Sequence, residues 1–256
     1  MKKFIGALKT NTSIYIYGIF FAFLVWYIIS LSQGAGNLIF PTPFETVKKT
    51  IEILSSKTIY ISIAWTILRT LIGFVSALIL ALILGLTIGS FKKTQVFFKP
   101  LITILKSAPT AAFVFLFLIL SGSKYAPIYI VFILSFPILY EAMVGGLNNI
   151  DKEIIDAVKI DGGDTISIFM KVKLPLSLPY LFVGVLSSFA LSFKTAIMAE
   201  IIAGDTNYGL GSMITAYRNL EPANLTPIFS ITLIAIIIII IIDIVTSKIL
   251  KLKKDY

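Results

Sequence analysis

Long apolar segments recur along this sequence and restrict its possible folds more than any short motif does. The last of them, "PIFSITLIAIIIIIIIDIVTSKI", carries its two charges, Asp243 and Lys248, near its end. Six segments are long enough to cross about 30 Å of hydrocarbon as helices. They are residues 14–31, 63–90, 96–120, 127–147, 176–202 and 227–249. We therefore predict an all-α integral membrane protein with six transmembrane helices and a single domain over residues 1–256.

The charge content and its distribution agree with this interpretation. Only 14% of the residues are charged, whereas a soluble domain carries roughly a quarter. With the N-terminus inside, fourteen basic residues fall in cytoplasmic segments and five in external ones. Because basic residues concentrate on the cytoplasmic side, both termini are predicted to lie in the cytoplasm. Membrane topology thus accounts for the net charge of +9, so the expected environment is the cell membrane and its lipids, and nucleic acid is not an expected partner.

Several kinds of chemistry are excluded by residues that the sequence lacks. It contains neither cysteine nor histidine, which removes disulfides, thiolate nucleophiles and imidazole bases or ligands. The Gly-x-x-x-x-Gly-Lys-Ser/Thr motif that binds nucleotide phosphates is also absent. The sequence shows no nucleophile–base arrangement and no cluster of metal ligands. We therefore expect no catalysis, metal or cofactor in this chain.

The segment at residues 148–175 is the longest predicted cytoplasmic loop, and its pattern indicates two short helices. Asp151 and Asp164 are good N-caps, and Gly162-Gly163 can end the first helix in a left-handed conformation. Pro175 is predicted to end the second helix and turn the chain into the membrane. Apolar side chains recur on both helices: Ile154, Ile155 and Val158 on the first, and Ile166, Phe169 and Met170 on the second. Such a surface either packs on its own bundle or docks a partner.

The same segment resembles a cytoplasmic signature in the membrane subunits of binding-protein-dependent ABC importers. That signature reads Glu-Ala-Ala, three residues, Gly, nine residues, Ile-x-Leu-Pro. Here the matching residues are Asp156-Ala157-Val158, Gly162 and Val172-Lys173-Leu174-Pro175, and every spacing agrees. Asp replaces Glu, Val replaces the second Ala, and Val replaces Ile. The resemblance identifies the loop as an elbow that couples the permease to a separate ATPase, with the Ile166–Met170 segment as the expected insert.

Further stretches are similar to one branch of these importers. They are "FPTPFETVKKTIEIL", "ILRTLIGFVSALILALILGLTIG", "SAPTAAFVFLFLIL" and "MAEIIAGDTNYGLGSMI". The branch imports nitrate, aliphatic sulfonates, taurine and thiamine-type pyrimidines. This sequence departs from the pattern of the branch at one place, where the second proline expected soon after Pro109 is replaced by Ala111, Ala112 and Phe113. The resemblance implies a type I (MetI-like) core and a homodimer around a central pathway. It also implies ATP bound by a cytoplasmic ATPase subunit and substrate delivered by an external binding protein.

A few charged residues fall inside the predicted spans, where ionisable groups are costly and usually face a cavity or a partner. Lys194 and Glu200 accompany Ser192 on the fifth span. One interpretation is that this helix lines the pathway, with Lys194 attracting an anionic substrate and Glu200 bracing an outer gate near Gly209-Leu210-Gly211. The alternative is an interhelical salt bridge or packing at a dimer interface. Lys106 is either a pathway residue or a lysine that reaches the headgroups.

Arg69 is expected to anchor at headgroups or to pair within the bundle.

Two other functional classes compete with an importer permease. A lipid-modifying membrane enzyme would need acid–base groups or metal ligands in one place, and the ionisable residues here are scattered over different spans. An ion-driven secondary transporter typically shows inverted repeats and broken helices, and it has no use for a docking elbow. The substrate class leans towards a small anion, with a pyrimidine or another small nutrient as the alternative.

Overall fold

In a computed structural model of the chain, structure is described for residues 11–32, 40–87, 89, 91–204 and 208–254, and this part is helical without strands. Its helices are α1 (Asn11–Ser32), α2 (Pro43–Leu54), α3 (Lys57–Thr87), α4 (Lys92–Ser107), α5 (Thr110–Ser121), α6 (Ala126–Asn148), α7 (Lys152–Ile160), α8 (Thr165–Ile168), α9 (Leu174–Ala203), α10 (Leu210–Leu220) and α11 (Thr226–Lys254). A π-helical segment, Phe169–Lys173, joins α8 to α9. The predicted all-α fold class is confirmed.

The structure supports four or five of the six predicted spans. Among the described residues, four helices do: α3, α6, the continuous helix Thr165–Ala203, and α11. The pair α4 and α5 makes a fifth if it is counted as one span. In α1 the apolar helix described is Ile16–Ser32, which is shorter than the roughly 20 residues that cross a bilayer without tilt or thinning. A sixth span at residues 14–31 therefore stays a prediction.

The segment predicted as one span over residues 96–120 is two helices that meet at an angle of 92°. The break falls at Ala108 and Pro109, between Ser107 and Thr110. Ala108 adopts an extended conformation, with ψ of 139°, because the ring of a following proline disfavours the helical region. The bend directs α4 away from α5, and α4 buries only Ile102.

Helices α3, α6 and α9 form the centre of the bundle, and small residues set how closely they approach. A Cβ on Gly73 would lie 2.5 Å from the carbonyl oxygen of Ile128, and one on Gly85 would lie 2.6 Å from Cγ of Met143. A side chain at either position would push α3 away from α6, in the way that small residues control helix packing in membranes. Gly73 and Gly85 therefore act as packing notches between α3 and α6.

Helix α2 opens with a capping box in which Thr42 and Glu45 bond to each other's backbone N–H groups. Its polar side contacts the bundle, where the Ser230 hydroxyl donates to the carbonyl oxygen of Thr46 at 3.0 Å. The opposite side is exposed and carries apolar side chains, among them Phe44 and Ile51. Helix α2 is thus held to α11 by its threonine side.

The entry of the chain into α9 differs from the sequence-based expectation. Pro175 was expected to end the second elbow helix, but α8, the π-helical segment and α9 run on as one helix. The N–H of Leu174 donates to the carbonyl oxygen of Phe169, five residues earlier. Because Pro175 stands in the first turn of α9, where a missing N–H and the fixed φ of proline are tolerated, the helix continues. The predicted turn at Pro175 is therefore wrong.

Candidate coupling elbow and transport pathway

The elbow consists of residues 148–175, and its sharp turn is built from two glycines. Gly162 has a φ of +83°, a conformation that strains any residue with a Cβ. Its N–H donates to Lys159 at 3.1 Å, and the N–H of Gly163 donates to Val158 at 2.9 Å. These two bonds complete the Schellman motif that ends a helix with satisfied carbonyl groups. The predicted left-handed helix end at Gly162 is confirmed.

The second helix of the elbow is capped as predicted. The Asp164 carboxylate accepts a hydrogen bond from the N–H of Ser167 at 3.1 Å. Hydrogen bonds from Ser167, the side chain first and the backbone second, hold the pKa of the Asp164 carboxyl below its usual range. At the first helix Asp151 occupies the N-cap position, but its side chain makes no capping hydrogen bond.

Some large apolar side chains of the elbow are exposed, whereas two other apolar side chains are buried and hold the elbow to the bundle. Ile166 is 73% exposed and Met170 54% exposed, whereas Ile168 and Val172 are buried. Ile160, which sequence reasoning missed, is the most exposed at 85%. It lies one turn after Ala157 on the same helix side, and this spacing was the signal that could have found it.

The remaining predicted coupling residues lie on the same segment with different exposure. Asp156 and Ala157 are exposed, and Asp156 forms an ion pair with Lys159 at 2.9 Å. Val158, Phe169 and Leu174 are half-buried, and Pro175 is exposed. The structure therefore brings all the predicted coupling residues onto one elbow at the end of the bundle, and their contact with an ATPase stays a prediction.

An open cavity of about 420 Å³ lies between α4, α5, α6 and α9. It is lined by Leu105, Lys106, Thr110, Leu134, Ile138, Leu191, Lys194, Thr195 and Met198. The ammonium group of Lys106 donates to the carboxylate of Glu141 at 2.7 Å, and both side chains are about half exposed. Lys194 is exposed, and its ammonium group has neither an ion pair nor a hydrogen bond within the part of the chain that the structure describes. Among the described residues, no carboxylate compensates the positive charge of Lys194 at this cavity.

Ser192 and Glu200 do not line this cavity, although they share α9 with Lys194. The Ser192 hydroxyl is buried and lies 2.8 Å from the hydroxyl of Ser135 on α6. Glu200 is fully buried, and Oε1 accepts a hydrogen bond from Arg69 on α3 at 2.7 Å. A role of either residue in the pathway stays a prediction, since the structure brings only Lys106 and Lys194 together at one cavity.

The Arg69–Glu200 pair is the centre of a buried polar cluster. The Thr66 hydroxyl lies 2.9 Å from Oε2 of Glu200, and Oε2 also accepts from the N–H of Gly211 at 3.0 Å. The same Arg69 nitrogen that bonds Glu200 also donates to the carbonyl oxygen of Tyr208 at 2.6 Å. Removing one partner of such a pair leaves an uncompensated buried charge, which costs about 3–5 kcal/mol.

Sequence reasoning left the partner of Arg69 open, because no spacing rule connects residues 131 positions apart. The only available signals were an arginine and a glutamate on different apolar segments. Within the described residues, no group of three or more acidic side chains could hold a metal ion.

Comparison with known proteins agrees with this architecture. Residues 77–251 match the family described as binding-protein-dependent transport system inner membrane component. A permease protein of Bacillus subtilis named for aliphatic sulfonates transport is 23% identical over 201 residues, covering 78% of this chain and 72% of that protein. A nitrate import permease protein of a Synechocystis strain is 24% identical over 197 residues, covering 73% and 70%.

The fold is also shared with a solved structure. The MetNI methionine ABC transporter in an inward-facing form aligns with a TM-score of 0.60 at 18% identity, covering 76% of this chain and 94% of that one. Since the family match extends over more than half of the sequence, the chain belongs to the inner-membrane components of binding-protein-dependent transport systems. It is a multi-pass ABC importer permease, not an enzyme, and its family implies a partner ATPase that binds the ATP and a substrate-binding protein.

Proposed function

We propose that this permease imports a small anion, such as a sulfonate, taurine or nitrate. Two copies form the pathway, both termini and the elbow face the cytoplasm, and the elbow of each copy docks on an ATPase subunit. The single observation that carries the substrate class is the Lys194 ammonium, which has no ion pair among the described residues and lines the cavity between α4, α5, α6 and α9. The names of the sulfonate and nitrate relatives support the same class.

The electrostatics of the cavity favour an anion for a direct reason. Lys106 is neutralised by Glu141, whereas Lys194 has no carboxylate partner in the described part of the chain. Leucine, isoleucine and methionine side chains make up most of the remaining lining, and a charge in apolar surroundings interacts more strongly than in water. Thr110 supplies a hydroxyl group next to the lysines, whereas the Thr195 hydroxyl already donates to the carbonyl oxygen of Leu191 at 3.0 Å. An anion of a few heavy atoms would gain both charge compensation and hydrogen bonds there.

The elbow supports docking on a separate protein. The exposed side chains of Ile160, Ile166 and Met170 do not stabilise the monomer, because they are not buried in it. Exposed apolar groups of this kind mark interaction sites. The rigid Schellman turn at Gly162 fixes the angle between the two elbow helices. The continuous helix from Thr165 to Ala203 then gives a direct mechanical connection from the docked segment to the interior of the bundle.

The proposed substrate class is tested with the permease reconstituted together with its ATPase and binding protein. We expect sulfonates or nitrate to stimulate ATP hydrolysis, and Lys194→Gln to slow anion uptake at least about tenfold, because a charge facing the pathway is lost. Lys194→Arg keeps the charge at a similar size and serves as the matched control, with uptake close to that of the unaltered permease. Stimulation by a neutral pyrimidine or a betaine, but by no anion, would overturn the anion proposal.

A further inference from the structure

Three side chains from two spans hold the backbone that leads into α10, and we call Thr66, Arg69 and Glu200 the clamp. Arg69 donates to the carbonyl oxygen of Tyr208 at 2.6 Å. Thr66 accepts from the N–H of Leu210 at 2.9 Å, and Glu200 accepts from the N–H of Gly211 at 3.0 Å. The clamp therefore bonds the chain at three places within the four residues 208–211.

The held segment is shaped to fit against the clamp. Gly209 has a φ of +147°, and a Cβ there would lie 2.6 Å from the Glu200 carboxylate. A Cβ on Gly211 would lie 2.4 Å from the carbonyl oxygen of Ile197. Both positions exclude a side chain, because real Cβ atoms do not approach other atoms so closely. The backbone of residues 208–211 thus lies directly on α9.

Between the two glycines, Leu210 is fully buried and joins an apolar cluster with Phe193, Ile197 and Ile231. The clamp and this cluster hold the same four residues from two sides. Opening the segment would expose Leu210 and would break the bonds of Arg69 to Tyr208 and of Glu200 to Gly211, while the two charges stay paired with each other. A buried charged group that loses a hydrogen-bond partner is unfavourable in apolar surroundings.

We propose that Arg69 and Glu200 are positioning residues for transport, which join α3, α9 and the start of α10 into a unit that stays closed throughout the transport cycle. The pathway then opens between this unit and other elements, and the clamp itself does not open. Neither residue contacts substrate. This inference rests on the membership of the importer family and is independent of the proposed anionic substrate.

The test uses cysteine labelling, since the sequence contains no native cysteine. Leu210→Cys places a thiol at a fully buried position in the permease reconstituted with its ATPase and binding protein. Reaction with N-ethylmaleimide is measured at rest and during ATP-driven turnover. We expect the two rates to agree within about twofold, because the position does not open during the cycle. Added to this background, Arg69→Met should raise the rate at least about tenfold.

Two controls separate local opening from general unfolding. Ile53→Cys introduces a thiol into the same apolar cluster, on α2 and outside the clamp and residues 208–211, so its labelling should be unaffected by Arg69→Met. In a cysteine-free background, Arg69→Met should lower the maximal uptake rate while KM stays within about twofold, and Arg69→Lys should recover part of that rate.

Two results would overturn the proposal. One is labelling of the Leu210→Cys variant that rises during turnover to the level seen with Arg69→Met, which would make the clamp a gate. The other is labelling that Arg69→Met leaves unchanged. If Leu210→Cys fails to assemble, hydrogen exchange of the Leu210 and Gly211 amides is measured in the unaltered permease instead. We expect slow exchange both at rest and in turnover. Faster exchange in turnover would overturn the proposal.

Discussion

The clamp and the elbow lie at opposite ends of the bundle and differ in which side chains they bury. At the clamp, charged and polar groups from α3 and α9 are buried and bonded to the backbone of residues 208–211. At the elbow, large apolar groups such as Ile160 and Ile166 stand exposed on a segment whose backbone is well capped. The clamp is satisfied by contacts within the chain, whereas the elbow has a rigid frame and an uncovered apolar surface. The contrast indicates that the elbow, and not the clamp, is the part of these two that offers a surface to a partner.

The largest effect is expected from a change in the elbow frame. Gly162→Pro forces φ to about −65° where the native angle has the opposite sign, and it removes an N–H that bonds Lys159. We expect the protein to remain in the membrane but to lose stimulated ATP hydrolysis and uptake. Reconstituted ATPase and uptake assays measure this. Gly145→Ala, at a helical glycine with open space around its Cβ, is the matched control, and normal transport by the Gly162→Pro variant would refute the coupling role.

At the clamp, the largest effect should be on stability. Arg69→Met removes the donor to Glu200 and Tyr208 and leaves a buried carboxylate uncompensated. We expect the free energy of unfolding to fall by about 3–5 kcal/mol, measured by titration with a denaturing detergent. A loss below about 1 kcal/mol is the range of exposed ion pairs, and it would show that the Arg69–Glu200 pair is not buried in the way described here.

An exposed apolar residue of the elbow should show the reverse pattern. Ile166→Ser changes a side chain that is 73% exposed, so the free energy of unfolding should change by no more than about 0.5 kcal/mol. ATPase stimulation should nevertheless fall severalfold if the residue is buried by the partner, because about 1.4 kcal/mol of lost contact is a tenfold change in binding. Ile166→Val, which keeps most of the apolar surface at the same position, is the matched control. Full coupling with Ile166→Ser would show that this side chain does not enter the interface.

A small effect on stability is also expected at the exposed ion pair of the cavity. Lys106→Gln removes the contact with Glu141, in which both side chains are about half exposed. Exposed pairs contribute little, so the free energy of unfolding should change by less than about 1 kcal/mol. The same detergent titration compares this variant with Arg69→Met. A loss as large as that of Arg69→Met would remove the distinction between a buried and an exposed pair in this bundle.

The elbow could be predicted from the sequence because its determinants are local. Gly162 and Asp164 act within a few residues, through a left-handed helix end and a side-chain cap, and both features are present. Pro175 was misjudged because a π-helical turn places it in the first turn of α9, and no local rule predicts such a turn. The bend at Pro109 lies where the sequence was interrupted, although its angle of 92° could not be read from the residues.

The clamp could not be predicted, because it depends on tertiary packing. Arg69 and Glu200 are 131 positions apart, and their pairing follows from how α3 and α9 pack beside α6. The sequence suggested only that Glu200 lies near Gly209 and Gly211, and the structure shows that each of these glycines makes room for α9. For Lys194 the sequence indicated a charge within a span, and the structure adds the cavity and the separate neutralisation of Lys106.

The elbow as a partner surface is tested most directly by the accessibility of one residue. Ile166→Cys introduces a single thiol into the cysteine-free chain, and its rate of reaction with a maleimide is measured in membranes with and without the ATPase subunits. We expect rapid labelling of the permease alone and strong protection when the ATPase is bound. A thiol that reacts equally fast in both cases, or that is already protected in the permease alone, would contradict the docking role of the elbow.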